Sequence, residues 1–273
     1  MRSLDIGCRL SGENLSIIAF ADDIFLLSPS LTGLQEMINK ISSLFTDLCL
    51  KINVTKSKYI MFSHRKAHSD PGTVLLNGSP LERISELKYL GVVITENLDL
   101  SADSNRILKS FLRQFNGVYQ KFHFLPRNLL TFLFKTYTSS FYGLNLFFEE
   151  KIKNKDIRKV EIAYHKAVKK IAGLNVWDSN HLACERVGVN VFKHLLSRRL
   201  LNFYFSTINT ECKMINKLKY HFMLSSKLHN TLKSYFSSLY DIDCLLGNDR
   251  SALIARIYFV ERNEPRSNHV YEP

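Results

Sequence analysis

The sequence predicts an α+β protein: an antiparallel sheet with one packed helix, followed by an all-α region. Two observations carry that expectation. Short β-branched and aromatic runs crowd into the first hundred residues, and after residue 100 the apolar spacing turns helical. At 45% hydrophobic and 23% charged over 273 residues, the chain has apolar surface for one or two cores, which excludes disorder.

The elements follow in order. Runs at 15–20, 24–28, 57–63, 73–76 and 87–95 read as strands, divided by turn residues such as Asn77-Gly78. One helix interrupts them: Leu34, Ile38, Ile41, Leu44, Phe45 and Leu48 recur at three- and four-residue spacing, with Thr32 and Gln35 placed as a capping box. Its apolar stripe should lie on the sheet. Helices are expected over 107–122, 128–148, 156–172 and 191–208, punctuated by Pro126, Gly173 and Gly188. Three segments result: 1–100, 101–209, and a helical to irregular extension at 210–273.

Charge separates the same segments. The formal charge of +12 suggests a polyanionic partner, nucleic acid before anionic membrane. Residues 1–100 carry a net of −1, residues 101–240 a net of +15 and residues 241–273 a net of −2, so the basic surface belongs to the middle segment. Solvated helix faces are the alternative reading of such a run. The five cysteines, Cys8, Cys49, Cys184, Cys212 and Cys244, show no close pairing and no leader precedes them, which reads as reduced thiols of an intracellular protein, nuclear or cytoplasmic rather than secreted. The most apolar window, 129–148, is broken by Lys135 and by Ser and Thr, so a buried helix is expected there and no membrane partner. His181 with Cys184, and Cys212 with His221 and His229, lack the CxxC half-site of a zinc knuckle.

The most informative residues are Asp22 and Asp23, two adjacent carboxylates between two apolar runs. An aspartate pair at a hairpin tip suffers like-charge repulsion unless a cation or proton relieves it. Hard divalent cations such as Mg²⁺ take carboxylate oxygens, and in two-metal phosphoryl transfer they serve the attacking and leaving oxygens. An ordinary polar turn is the alternative, since Asp is a favoured turn residue.

The block from Ala19 to Ser30 (AFADDIFLLSPS) resembles motif C of reverse transcriptases, in the FADD form of non-LTR (LINE-type) retrotransposons. Two further blocks follow in the family's order. Leu50-Lys51-Ile52-Asn53-Val54-Thr55-Lys56-Ser57-Lys58 resembles motif D and begins 27 residues after Asp23. Leu87-Lys88-Tyr89-Leu90-Gly91-Val92 resembles motif E, the hairpin that grips the primer strand. Cys49 stands where the family has the glycine of motif D, a departure that bears on the loop more than on the chemistry. Helical blocks at 135–143 and 158–188 extend the likeness over roughly residues 5 to 209, with phenylalanines replacing a family Trp.

The resemblance implies a partial palm sheet followed by a thumb-like helical region. It makes Asp22 a direct metal ligand and Asp23 an accessory carboxylate, with Mg²⁺ as the cofactor. Phe20 and Ala21 would sit beside the primer 3′ end, and Tyr89, Leu90 and Gly91 would form the primer grip. Lys56 would be the motif D lysine that protonates the pyrophosphate leaving group; a lysine merely covering the sheet surface is its alternative. The thumb would track a template–primer duplex through Lys151, Lys153, Lys155, Arg158, Lys159, Lys166, Lys169 and Lys170, with Arg198 and Arg199 as additional contacts. The implied partners are an RNA template, a DNA primer and a deoxynucleoside triphosphate. Motifs A and B lie upstream of motif C in this family, and the nineteen residues before Phe20 contain neither. The expectation is therefore an RNA-directed DNA polymerase fragment, inactive without the remainder of the palm and the fingers. A non-catalytic nucleic-acid-binding remnant and a host protein that borrowed the helical half are the competing readings.

Overall fold

Backbone pairing starts early in the chain. In the computed structural model, β1 (Arg9–Leu10) and β2 (Glu13–Asn14) form a short hairpin, and β3 (Ile17–Phe20) and β4 (Asp23–Leu26) a longer one. The structure describes residues 6–10, 12–62, 72–139, 141–144, 154–208, 210–212 and 215–216. They fall into two units, one running to Arg106 and joined by Cys212, the other from Ile107 to Glu211.

In the first unit, α1 (Leu31–Asp47) follows the second hairpin. Its N-cap is Ser30, whose Oγ accepts from the Gly33 N–H at 3.1 Å, so the Thr32–Gln35 capping box does not form. Gln35 is used elsewhere: its Nε2 donates to the Leu75 carbonyl at 2.8 Å and its Oε1 accepts from the Leu75 N–H at 2.7 Å. A side-chain amide presents donor and acceptor side by side, so it can pair with a backbone residue as a strand would. Met37, Ile38 and Ile41 are buried, and Ile38 packs with Val74, Leu76 and Leu81. The expected stripe is a turn too long, because Leu44 and Leu48 are 39% and 66% exposed.

The end of α1 explains the departure at Cys49. The Leu50 N–H donates to the Phe45 carbonyl at 2.7 Å and the Cys49 N–H to the Thr46 carbonyl at 3.0 Å. This is a Schellman ending, and it places Cys49 at φ +56, a left-handed position suited to glycine. α4 and α5, described below, end the same way with Gly173 and Gly188 at φ +67 and +68. Cys49→Gly is therefore expected to stabilise the first unit by about 1 kcal/mol, because a Cβ in that region costs about that much. Urea unfolding of the two proteins checks it; an unchanged midpoint would mean no strain is held there.

β5 (Lys58–Tyr59) pairs in parallel with β8 (Glu82–Arg83), while β6 (Leu75–Leu76) and β7 (Ser79–Pro80) form a hairpin. Its turn is Asn77-Gly78 with φ +52 and +78, the two positive values of a type I′ turn. β9 (Glu86–Tyr89) and β10 (Val92–Thr95) repeat that turn with Leu90 and Gly91 at φ +45 and +79. Among the described residues the strands form five separate pairs, four of them antiparallel, rather than the single sheet expected. Among the described residues no strand is longer than four residues, so each pair offers only a short edge for further pairing. α2 (Ser101–Phe122) then begins within the first unit.

The second unit continues along α2 into α3 (Arg127–Leu133), a single π-helical turn (Phe134–Thr138), α4 (Asn154–Ala172), α5 (Asn180–Val187) and α6 (Phe192–Ile208). Of the helix expected over 128–148, the described part ends at Thr138, Phe141 and Gly143 follow at φ +41 and +84, and residues 140 and 145–148 lie outside the described residues. The helix is not wholly buried either: Phe132 and Tyr137 are exposed while Leu130, Phe134 and Thr138 are inside. Neither α5, with its eight residues, nor the π turn was anticipated. The core is aromatic, with Phe111, Phe134, Phe141 and Phe192 ringing Tyr164 at centroid distances of 5.7–6.4 Å. No helix of the described residues is long and apolar enough to cross a membrane.

Candidate carboxylate turn and nucleic-acid interface

The two aspartates sit where a hairpin must reverse. Phe20 and Asp23 are paired across the strands, leaving Ala21 and Asp22 as a two-residue turn. Ala21 has φ +53 while Asp22 does not share that sign, the pattern of a type II′ turn, whose first position favours glycine. A non-glycine residue here holds local strain at the tip that presents the carboxylates. Asp22 and Asp23 are both exposed, and Phe20 is 62% exposed beside them. Among the described residues no third His, Cys, Asp or Glu joins them in a metal-holding group.

A second hairpin meets the first. The ring of Phe25, on β4, lies 5.1 Å from that of Tyr89, on β9, so the two hairpins are neighbours although more than sixty residues separate these rings. The Tyr89 hydroxyl is buried with no hydrogen-bond partner among the described residues, so Tyr89 contributes its ring to this contact. Leu90, at the tip, is half-exposed.

The β9–β10 hairpin is tied to the start of α2 by a buried charge. Asp103, 1% exposed, accepts from the Val93 N–H at 2.9 Å and from Arg106 Nε and Nη2 at 2.5 and 3.2 Å. Nothing in the sequence reading singled out Asp103. Its local signal, an acid in a helix's first turn three residues before an arginine, resembles that of any exposed helix.

Lys56 is held by its neighbours. Asn53 Oδ1 accepts from the Lys56 N–H at 3.1 Å and from Thr55 Oγ1 at 2.7 Å, and Ser57 donates through both N–H and Oγ to the Asn53 carbonyl. The Asn-x-x-Lys-Ser order is thus an Asx turn that fixes the backbone and leaves the lysine side chain exposed. Lys56 makes no ion pair with Asp22 or Asp23.

In the second unit, the six described cationic candidates share one face of α4. At about 100° per residue, Lys155, Arg158, Lys159, Lys166, Lys169 and Lys170 span about 120° of the helix. The opposite arc carries Val160, Tyr164, Val168 and Ile171, all buried. Lys151 and Lys153 lie outside the described residues. Three of the six have local partners: Lys159 with Asp156 at 3.1 Å, Lys169 with the Val176 carbonyl at 2.7 Å, and Lys170 over the Tyr119 ring at 4.3 Å. Lys155, Arg158 and Lys166 are exposed and make no such contact among the described residues. Arg199 is turned inward, donating to the Ser139 carbonyl at 2.8 Å and the Phe141 carbonyl at 3.5 Å, and burial lowers its pKa, so it braces the end of the π turn rather than a ligand.

The inner face of α4 carries His165. Its Nε2 accepts from the Phe192 N–H at 3.3 Å, which requires a neutral ring. Burial, with Lys169 and His181 adding to it, lowers its pKa to about 4 from 6.5. Because the unfolded chain binds the proton more readily, this contribution is complete above pH 6.5 and is lost as pH falls towards 4. Between pH 6.5 and 5 the second unit is expected to lose about 2 kcal/mol from this residue. Urea unfolding across that range checks it, and His165→Gln should flatten the dependence. Burial also pushes the Cys184 thiol up to about 12, against the opposing pull of Lys169, so it stays protonated.

No protein-family model matches the chain. It is similar to an uncharacterised transposon-derived protein of Caenorhabditis elegans, 30% identical over 114 residues, covering 40% of this chain and 39% of that protein. The chain thus spans about two fifths of the length of the curated relative it matches.

Proposed function

We propose that this chain is the motif C to E segment and thumb of a retrotransposon reverse transcriptase, and that by itself it binds an RNA–DNA template–primer without extending it. The single observation that carries the reading is the contact between Phe25 and Tyr89. Two hairpins that each resemble a polymerase motif meet in space, as a primer end held beside a carboxylate turn would require. Similarity to a transposon-derived protein supports the same origin.

The donor chemistry at the turn fits Mg²⁺, which polymerase sites hold through one or two carboxylates together with substrate phosphates. Asp22 and Asp23 would hold it, and it would supply neutralisation of phosphate charge. Lys56, held by the Asn53 turn, is the candidate proton donor, and Phe20, Ala21, Leu90 and Gly91 are the groups offered to the primer end. The exposed cations of α4 bind phosphates without sequence preference. Two carboxylates on one turn fall short of a two-metal cage, which favours binding without catalysis.

The test combines a gel-shift of an RNA–DNA duplex with primer extension in Mg²⁺ and a deoxynucleoside triphosphate. Binding without extension is expected. Extension abolished by Asp22→Ala would overturn the non-catalytic part, and failure to bind the duplex would overturn the whole reading.

A further inference from the structure

The loop between α4 and α5 carries the chain's sole tryptophan, Trp177. It is 95% exposed, and Val176 beside it is 60% exposed. Leaving an indole in water forgoes the gain of burying one of the largest apolar side chains. The loop is nonetheless pinned. The Asn175 N–H donates to the Asp178 carboxylate at 2.6 Å, the Asp178 N–H to the Asn175 carbonyl at 3.2 Å, and Lys169 Nζ to the Val176 carbonyl at 2.7 Å. The last bond fastens the peptide preceding Trp177 to a lysine of the cationic face, so the loop that carries the exposed indole is tied to the C-terminal turn of α4.

We propose that Trp177 stacks on an unpaired base of a single-stranded nucleic acid whose phosphates run along the cationic face of α4. This rests on the reading of α4 as a nucleic-acid surface and adds to it the form of strand that the loop takes. Charge complementarity selects the occupant. An aromatic platform beside a row of Lys and Arg matches the base and phosphate of one strand, whereas the stacked bases of a duplex offer the indole no free face. Protein interfaces, by contrast, are depleted in lysine at their centres.

Excited at the red edge of the indole band, where the twelve tyrosines do not absorb, intrinsic fluorescence reports Trp177 alone. The protein is titrated with a short oligothymidylate, with a blunt duplex of equal length, and with phosphatidylserine vesicles. Oligothymidylate is expected to quench the emission. The variants carry no tryptophan, so their binding is read from the anisotropy of end-labelled oligothymidylate and duplex: Trp177→Ala should weaken oligothymidylate binding about tenfold, Trp177→Phe should restore most of it, and duplex affinity should be unchanged in both. Unquenched emission, or Trp177→Ala binding oligothymidylate as well as the unaltered protein, would overturn the stacking assignment. If the duplex still binds in that case, the reading of α4 survives. If neither nucleic acid binds, both fall, and a response to vesicles alone would assign the loop to a lipid surface instead.

Discussion

Asp103→Ala is expected to destabilise the first unit by about 3–5 kcal/mol, the usual effect of removing one partner of a buried ion pair. Its carboxylate is almost wholly buried and accepts three hydrogen bonds, two from Arg106 and one from the Val93 N–H. The alanine variant would leave a half-buried guanidinium without its counter-charge and a backbone N–H without an acceptor. Asp103→Asn keeps the acceptor and loses the charge, so a smaller loss of about 2 kcal/mol is expected. Urea unfolding checks both. The consequence reaches the candidate site because Val93 lies on the hairpin that carries Tyr89, Leu90 and Gly91. A destabilisation below about 1 kcal/mol would mean that Asp103 does not anchor that hairpin.

Tyr164→Ala is expected to cost the second unit about 3–5 kcal/mol. The ring is 2% exposed and lies among Phe111, Phe134, Phe141 and Phe192, so its removal leaves a cavity that four rigid rings cannot close. Burial and the neighbouring Cys184 raise the phenol pKa, which keeps the hydroxyl protonated to donate to the Asn190 carbonyl at 2.7 Å. Tyr164→Phe removes that bond alone, for an expected loss of about 1 kcal/mol. Thermal unfolding of the two variants separates packing from hydrogen bonding. Similar losses in both would mean that the hydroxyl, and not the ring, holds α4.

Local signals were legible where chain geometry leaves one solution. Asn77-Gly78 forms the hairpin turn that its glycine favours, and α2, α4 and α6 lie where helical spacing placed them, whereas the run at 87–95, which reads as one strand, reverses at Leu90-Gly91 into β9 and β10. Thr32 does not cap α1 because Ser30, two residues earlier, is equally suited to a helix start, and its Oγ is the one that accepts from the Gly33 N–H. Gln35 was unreadable for another reason: its partner, Leu75, is forty residues away. The single expected sheet failed because alternation identifies strands but not how far each pairs. At the candidate site, the hairpin carrying Asp22 and Asp23 was legible as a residue pattern, although its turn is Ala21-Asp22 and Asp23 already belongs to β4. The Phe25–Tyr89 contact, the Asp103 anchor and the inward turn of Arg199 were not, since each depends on a fold that brings distant segments together. Division of the α4 cations into engaged and open groups was half legible. The Asp156–Lys159 spacing announces a pair, whereas Lys170 over Tyr119 requires α2 and α4 to meet.

The most direct measurement is the salt dependence of RNA–DNA duplex binding by the full chain and by a Lys155→Ala, Arg158→Ala, Lys166→Ala variant. If the open face of α4 holds phosphates, log K falls linearly with log salt by about 0.9 per contact, and the triple variant loses about 3 from that slope along with affinity at low salt. Equal slopes and affinities in the two proteins would contradict the assignment and return the cations of α4 to an ordinary solvated helix face.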